Sequence, residues 1–372
     1  MTSAGALPLD IDELYRRRVP CMIAFLRPFR IIDGPTSPAW EPTIEQINSR
    51  TWDYVELHRM VAQIDVGLPP PYNLAVARDG AFALPALPEL RKGVDAAEFF
   101  NQHFAALLLG GIYCEAIAHD ALDFGSIIDW SFIRVNTSAP ANRFNQLARL
   151  QGASPIEAIA LQEERRLLTS ELDSAMLAGR AVMAAVPEMS GEFLLKGTTG
   201  FARRDWSSAL ANLWIVVEQI TSNLWQSDVV GKARAEGAAA GRIDQLGDTR
   251  TWSTGPRHEL LYQTGRIGTE LLAALSTARR ARNALAHRGS HPSEDAARAV
   301  YYSVIELLKI AASHTVLPLA QLDVQNHTLS DPFVPTGRTI SGEPKYWMPI
   351  PKLPGEAELE LLEGEARERG LI

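Results

Sequence analysis

The stretch from Thr269 to Gly289, TELLAALSTARRARNALAHRG, constrains the fold most because its apolar residues recur every three or four positions. This spacing lays one apolar face along an α-helix, and other elements must cover that face. The residues of the face are Leu271, Leu275, Ala278, Ala281 and Leu285. Glycine is common just beyond a helix C-terminus, so the pattern predicts that the helix ends at Gly289.

Two side chains near the end of this helix are candidates for binding or catalysis. Arg282 lies four residues after Ala278, at the edge of the apolar face, so its guanidinium must either leave the core along its long stem or meet a buried anionic partner. His287 follows five residues later, about 140° around an ideal helix. The two side chains therefore cannot meet within one straight helix, although they could meet across a two-fold interface. The helix dipole favours a protonated His287 in the last turn.

Further helical patterns surround this stretch. The predicted helices run from the capping box SPIE at 154–157 to about Pro187, from the N-cap Asp205, over 257–265 and from the N-cap Ser293. Gly179 is a weak point in the first of them, and Gly231–Gly247 is either a weak helix or a connection without a phosphate-loop motif. Together the patterns predict an antiparallel helical bundle over residues 154–317.

The part of the chain before residue 154 mixes strand and helix patterns. Strand-like runs lie within Val19–Ile32 and Trp52–Val66, Asp95–Leu109 has a helical pattern, and the apolar segment Phe124–Val135 could be a strand. We find no catalytic or binding motif in this part of the sequence. Its histidines lack the spacing of metal ligands. We therefore predict an α+β protein with an N-terminal mixed α/β domain over 1–153 and an all-α helical bundle over 154–317. A Pro-rich, acidic C-terminal tail follows over 318–372.

The charge is unevenly distributed. The whole chain has a net charge of -8, which argues against a protein coated in nucleic-acid-binding surface. Residues 201–313, in contrast, contain 14 Lys and Arg against 11 Asp and Glu. This local excess of positive charge permits one basic site around the helix predicted over Thr269–Gly289.

Cysteine usage and hydropathy indicate the compartment. Cys21 and Cys114 form no CxxC pair, so we expect neither a disulfide framework nor a Cys-type zinc site, and no cofactor or metal is predicted. The N-terminus lacks the pattern of a secretory signal, and the longest apolar run, Phe104–Ile117, is too short to span a bilayer. A cytoplasmic protein without a membrane span is the expectation.

The segment from Arg282 to His287, RNALAH, resembles the R-x(4 to 6)-H signature of the HEPN superfamily. The flanking TARRARNALAHRG and the earlier LANLWIVVEQI resemble the branch called Apea-like HEPN, over roughly residues 202–317. Of the eight histidines, only His287 has an arginine at the required distance, either Arg282 or Arg280. Asn283 matches the polar position after the arginine, which favours Arg282.

The resemblance implies a metal-independent endoribonuclease that is active as a homodimer and leaves 2′,3′-cyclic phosphate ends on RNA. His287 would move the proton of the 2′-hydroxyl or of the leaving oxygen, because its ordinary pKa is near neutral. The guanidinium of Arg282 would bind the charge that gathers on the phosphate oxygens. Asn283 would hold a phosphate oxygen or orient the histidine. Glu218 could pair with Arg282, take part in proton transfer or form a simple surface ion pair, and Arg280 is a possible substitute for Arg282.

Other interpretations of the same residues stay open. Bacterial relatives that cleave RNA often act in antiviral defence or as toxins, whereas members that have lost cleavage bind nucleotides or proteins. In that second case the bundle would be a dimerisation module, and the N-terminal domain would sense a ligand or partner. Arg282 and His287 could also only cap a helix end and form ordinary ion pairs. His287 and His291 have an H-x3-H spacing suited to a metal, but Gly289 and Pro292 interrupt the helix that this requires.

Overall fold

The computed structural model describes residues 17–28, 30–37, 55–90, 92–137, 139, 165–313, 316–326, 364 and 367–369. Residues 1–329 form one compact unit and residues 330–372 form a second, and all elements named below belong to the first. The predicted domain boundary at 153/154 and the capping box at 154–157 lie outside the described residues. The predicted tail begins inside the first unit, because Leu319 and Val324 are buried in its core.

The described strands fall into two sheets. Their bounds are β1 Arg18–Phe25, β2 Arg30–Asp33, β3 Met60–Ile64, β4 Leu74–Ala77, β5 Ala81–Pro85, β6 Asp123–Ile128, β7 Phe132–Thr137 and β8 Arg165–Leu168. Six of them pair antiparallel in the order β3-β4-β5-β1-β6-β7, and β2 pairs with β8 in parallel. The edges of the larger sheet meet at a bridge between Arg59 and Phe132, so the sheet curls back on itself.

The described helices fill most of the chain after residue 168. Their bounds are α1 Val55–His58, α2 Gly93–Leu109, α3 Thr169–Ala185, α4 Gly191–Ala202, α5 Trp206–Trp225, α6 Lys232–Ala235, α7 Ala240–Gly247, α8 Thr254–Gln263, α9 Thr269–Arg288 and α10 Glu294–Ala311. A π-helical turn, Gln226–Gly231, joins α5 to α6. With a curled antiparallel sheet and a mostly helical second part, the α+β fold class is confirmed. None of the helices in these ranges combines the length and apolar composition that a bilayer span requires.

The cap residues explain where the predicted helices begin and end. The side chain of Asp205 accepts from the backbone N of Ser208 before α5, and Ser293 accepts from Ala296 before α10, so both predicted N-caps are confirmed. Gly289 adopts a left-handed φ of 64° directly after α9, as the sequence predicted. Three helix boundaries of the bundle are therefore encoded locally.

Two sequence-based assignments were wrong. The predicted strand Phe124–Val135 is a hairpin of β6 and β7, and Asp129 and Trp130 turn between them with φ of 48° each. Helical spacing predicted helix throughout 154–187, but residues 165–168 form β8, and α3 begins at Thr169. Pairing with β2 supplies the backbone hydrogen bonds of this segment, and such a tertiary partner overrides local spacing.

One hydrophobic core joins the sheet to the helices. Alternate residues of β1 face opposite sides, so Met22 and Ala24 pack in the core shared with the bundle, whereas Ile23 packs inside the curl of the sheet. The ring of Phe82 on β5 meets Phe104 on α2 at 5.0 Å between centroids. Because α2 also packs against α3 and α4, the sheet and the bundle share apolar contacts.

Candidate active site

Helix α9 lies against α5, α8 and α10. Leu271, Leu275 and Ala278 are buried along its inner face, and Ala281 and Leu285 are half-buried towards its end. The predicted apolar face is thus confirmed, and it fades towards the C-terminus of the helix. The candidate residues are therefore held on a packed scaffold but remain close to solvent.

Arg282 is half-buried on the core side of α9. Its Nη1 lies 3.4 Å from Oδ1 of Asn283, and no carboxylate of the described residues forms an ion pair with it. The sequence left two outcomes open for this guanidinium: leaving the core along its stem, or pairing with a buried anion. The described residues include no such anion. The charge of Arg282 remains available to a ligand.

His287 is exposed in the last turn of α9. Arg282 lies five residues earlier, so the two side chains point about 140° apart and the structure brings them into no contact within one chain. One copy of the protein therefore presents the two groups on different sides of the helix.

The third catalytic candidate, Asn283, and the two supporting candidates, Arg280 and Glu218, differ in their partners. Asn283 is exposed, and its Oδ1 accepts from the Arg282 guanidinium. Arg280 is exposed, and its Nη2 lies 3.4 Å from Oγ1 of Thr277. Glu218 on α5 accepts from Nε1 of Trp214 at 2.7 Å rather than pairing with Arg282. Of the possibilities that the sequence left open for Glu218, neither a pair with Arg282 nor a surface ion pair is found in the described part of the chain.

The candidate metal pair is separated by the helix end. His287 is the penultimate residue of α9, and Gly289 turns the chain away before His291. Nδ1 of His291 lies 3.4 Å from Oγ of Ser207 at the start of α5. Within the described ranges, no three His, Cys, Asp or Glu side chains gather as a metal-binding group.

Unpaired positive charge is concentrated on the second half of α9. Arg279, Arg280, Arg282 and Arg288 form no ion pair with a carboxylate in the ranges that the structure describes. Elsewhere in the bundle, Arg266 contacts Asp228 at 2.7 Å and Arg298 contacts Glu294 at 2.5 Å. The arginines of α9 thus differ from Arg266 and Arg298 by lacking an acidic partner, and a cluster of such cations on one helix end is typical of a surface that receives an anion.

Sequence reasoning missed a polar cluster where α8 packs against α5 and α9. His258 is 3% exposed, its Nε2 lies 2.9 Å from Oγ1 of Thr221, and its ring meets the Trp214 ring edge-on. Burial and then the nearby Arg279 lower the pKa of His258 to about 4, so the imidazole is neutral near pH 7. Helix α8 has little amphipathic character, so the sequence held no clear signal of this burial.

The lowered pKa of His258 predicts a stability that depends on pH. An unfolded histidine binds its proton below about pH 6.5, whereas folded His258 binds one only below about 4. The unfolded state therefore holds more protons between these values, and the free energy of unfolding falls as pH is lowered through this window. We expect His258 to account for a loss of up to about 3 kcal/mol, measured from urea unfolding at a series of pH values.

The matched variant for this prediction is His258→Gln, which keeps a hydrogen-bonding group beside Thr221 but does not titrate. Its stability is expected to change less steeply with pH than that of the wild type. The free energy of unfolding of His258→Gln still depends on pH, because burial also lowers the pKa of His103 to about 4. His119→Gln, the same substitution at an exposed histidine, is the control for the change of side chain itself. An equal slope in His258→Gln and wild type would contradict the assignment.

Comparison with known proteins adds no relative. The chain matches no family model, no curated protein and no solved structure. Membership of the HEPN superfamily thus stays a prediction from the residues around Arg282 and His287.

Proposed function

We propose that this protein is a metal-independent endoribonuclease of HEPN type. The observation that supports this function best is the second half of α9, which carries the exposed His287 and four arginines without acidic partners among described residues. A polyanion is the ligand that such a surface attracts. An exposed imidazole beside it supplies proton transfer near neutral pH.

The chemistry assigned to these residues is transfer of a phosphoryl group within the RNA. The 2′-oxygen attacks the adjacent phosphorus and loses its proton, and the bond from phosphorus to the 5′-oxygen breaks. His287 takes up the 2′-hydroxyl proton or donates one to the leaving 5′-oxygen. The Arg282 guanidinium donates hydrogen bonds to the non-bridging oxygens as negative charge grows on them. The products are a 2′,3′-cyclic phosphate and a 5′-hydroxyl.

The geometry of α9 supports a homodimer as the active form. Arg282 and His287 point about 140° apart on one helix, so a single chain does not direct both at one phosphate. Arg282 of one copy and His287 of the partner subunit can do so across a two-fold axis. We therefore propose a cytoplasmic homodimer that acts on RNA, in defence or as a toxin.

A second candidate function is a non-catalytic binding module whose N-terminal part senses a ligand. The observation that favours it is a pocket of about 630 Å³ where β2, the segment after α2 and α3 meet. Arg30, Tyr113, Ser170 and Glu171 are among its lining residues, so it offers both charge signs to a small polar molecule. In this alternative the arginines of α9 bind a partner without cleaving it.

The test is incubation of the purified full-length protein with total RNA in EDTA. We expect cleavage that persists in the chelator and new ends that resist phosphatase until the cyclic phosphate is opened. Removal of that block by acid shows that it was a 2′,3′-cyclic phosphate. Cleavage that stops in EDTA and returns with Mg²⁺ would overturn the metal-independent mechanism, and RNA binding without cleavage would favour the binding module.

A further inference from the structure

The first turn of α8 has backbone donors that its own side chains leave unused. Ser253 is its N-cap residue but forms no side-chain cap hydrogen bond, so the N–H of Gly255 lacks the usual acceptor. The N–H of Thr254 is also without a side-chain acceptor among described residues, and Pro256 has no N–H. The helix continues for ten residues, which directs the positive end of its dipole at this turn. An uncapped helix start of this kind can bind an anion if other groups converge on it.

Arg279 of α9 lies directly on this turn. A Cβ atom placed on Gly255 would lie 1.7 Å from Nη1 of Arg279, so the guanidinium rests against the α8 backbone at this glycine. Arg279 forms no ion pair with any carboxylate of the described residues. A guanidinium beside a helix N-terminus places like charges together, an unfavourable arrangement that an anion between them would relieve.

Arg257 adds a buried positive charge to the same turn. It is 7% exposed, its Nε is buried without a partner, and its guanidinium forms no hydrogen bond or ion pair in the part of the chain that the structure describes. Its guanidinium lies over the Trp225 ring, 5.5 Å from the centroid. Arg257 is the fourth residue of α8 and so belongs to its first turn. A buried N–H without an acceptor is costly unless a ligand supplies one.

Trp252 adds an aromatic ring directly before the first turn of α8. It is half-buried, immediately precedes Ser253, and its ring centroid lies 4.9 Å from that of Trp225. Because Trp225 is fixed by a hydrogen bond from Nε1 to the Leu246 carbonyl, the Trp252 ring rests on a rigid support. A partly exposed indole on such a support is suited to stacking with a nucleobase.

Two carboxylates lie nearby, and both have partners. Oε1 of Glu218 accepts from Trp214 and lies 3.5 Å from Oγ1 of Thr254. The Asp248 carboxylate accepts from the backbone N of Arg250 and Thr251 in the preceding turn. Neither forms an ion pair with Arg257 or Arg279, so both guanidinium groups keep their charge for a ligand.

We propose that the α8 turn, formed by Ser253, Thr254, Gly255, Arg257 and Arg279 with Trp252 beside it, is a subsite that binds one phosphate of single-stranded RNA and stacks its base. The inference rests on the proposed function, because it treats Arg282 as the contact to the scissile phosphate. Arg279 precedes Arg282 by three residues, about 4.5 Å along the helix axis. One strand can therefore contact both guanidinium groups, and the α8 turn fixes which phosphate reaches Arg282.

The experiment measures binding of a fluorescent single-stranded 2′-O-methyl RNA, which has no 2′-hydroxyl and cannot be cleaved. We expect Arg279→Gln to weaken binding about tenfold and to reduce the slope of log affinity against log salt by about 0.7 to 1. Trp252→Leu is expected to weaken binding with an unchanged salt slope, because it removes stacking and no charge. Arg134→Gln, an exposed arginine on β7, is the charge-matched control and changes neither quantity.

The outcomes separate the subsite from the proposed cleavage activity. If the wild type binds this RNA in an Arg279-dependent way but cuts no RNA, the subsite stands and the ribonuclease proposal fails. If the wild type cuts RNA while Arg279→Gln binds like Arg134→Gln, the subsite is overturned. Adenosine monophosphate serves as a competitor: if it binds in an Arg279-dependent way and the RNA does not, a free nucleotide is the ligand and the RNA assignment is overturned.

Discussion

The His287→Ala variant is expected to lose RNA cleavage by a factor of about 10² to 10⁴, which is the usual contribution of one general acid or base. RNA affinity should change little, because His287 is exposed and the four arginines of α9 remain. The measurement is the single-turnover cleavage rate of a labelled RNA in EDTA, together with its dissociation constant. A loss of rate with retained affinity distinguishes proton transfer from binding.

Arg282→Ala should reduce the same rate to a similar or greater extent. Its guanidinium has no acidic partner in the described part of the chain, so removing it leaves no buried carboxylate unpaired and the fold is expected to persist. Arg280→Ala, two residues earlier and exposed, is the matched variant. If Arg280→Ala lost more activity than Arg282→Ala, the motif arginine would be Arg280.

His291→Ala is the control for the histidine. His291 is also exposed and lies four residues beyond His287, with Oγ of Ser207 as its hydrogen-bonding contact. Its removal should leave the cleavage rate within a few-fold of the wild type. Equal rates in His287→Ala and wild type, at equal dimer content, would contradict the catalytic assignment and favour the binding module.

The sequence predicted the bundle helices well where two local signals agreed. Helix α9 combined an apolar face with a glycine that turns left-handed at its end, and α10 combined a clean apolar face with the Ser293 cap. Both signals act within a few residues of one another, so no knowledge of the tertiary structure was needed. The position of Arg282 and His287 on one helix followed from the same pattern.

Elements that depend on distant partners were not predictable in this way. Strand β8 forms because β2, more than 130 residues earlier, pairs with it. Helix α8 has little amphipathic character, so its buried His258 and Arg257 gave no clear pattern. The role of Gly255 likewise depends on Arg279 from another helix. The α8 turn therefore became visible only in three dimensions.

Gly179 is a further residue whose role changes between sequence and structure. As a glycine inside a helix it looked like a weak point, since glycine costs about 1 kcal/mol relative to alanine there. In the structure a Cβ on Gly179 would collide with the backbone carbonyl of Ala106 on α2. A Cβ on Gly110, at the end of α2, would in turn collide with the backbone of Ala175 on α3. These glycines permit α2 and α3 to pack backbone against backbone.

Gly179→Ala is therefore expected to destabilise the protein by about 3 kcal/mol or more, although alanine is the better helix former. The collision is with backbone, which cannot rotate away, so α2 and α3 must separate and expose apolar surface of the shared core. Urea unfolding followed by circular dichroism and by tryptophan fluorescence measures the loss. Both signals should shift together, because α2 connects the sheet to the bundle through one core.

Gly241→Ala is the matched control, the same substitution in helix α7 where a Cβ would meet nothing within 4 Å. It is expected to be neutral or to stabilise the protein by up to about 1 kcal/mol through helix propensity. The two variants thus differ in the sign of their effect, although each adds one methyl group to a helix. If Gly179→Ala were as stable as Gly241→Ala, the close approach of α2 and α3 would not contribute to stability, and the two parts of the chain would not depend on this contact to stay joined.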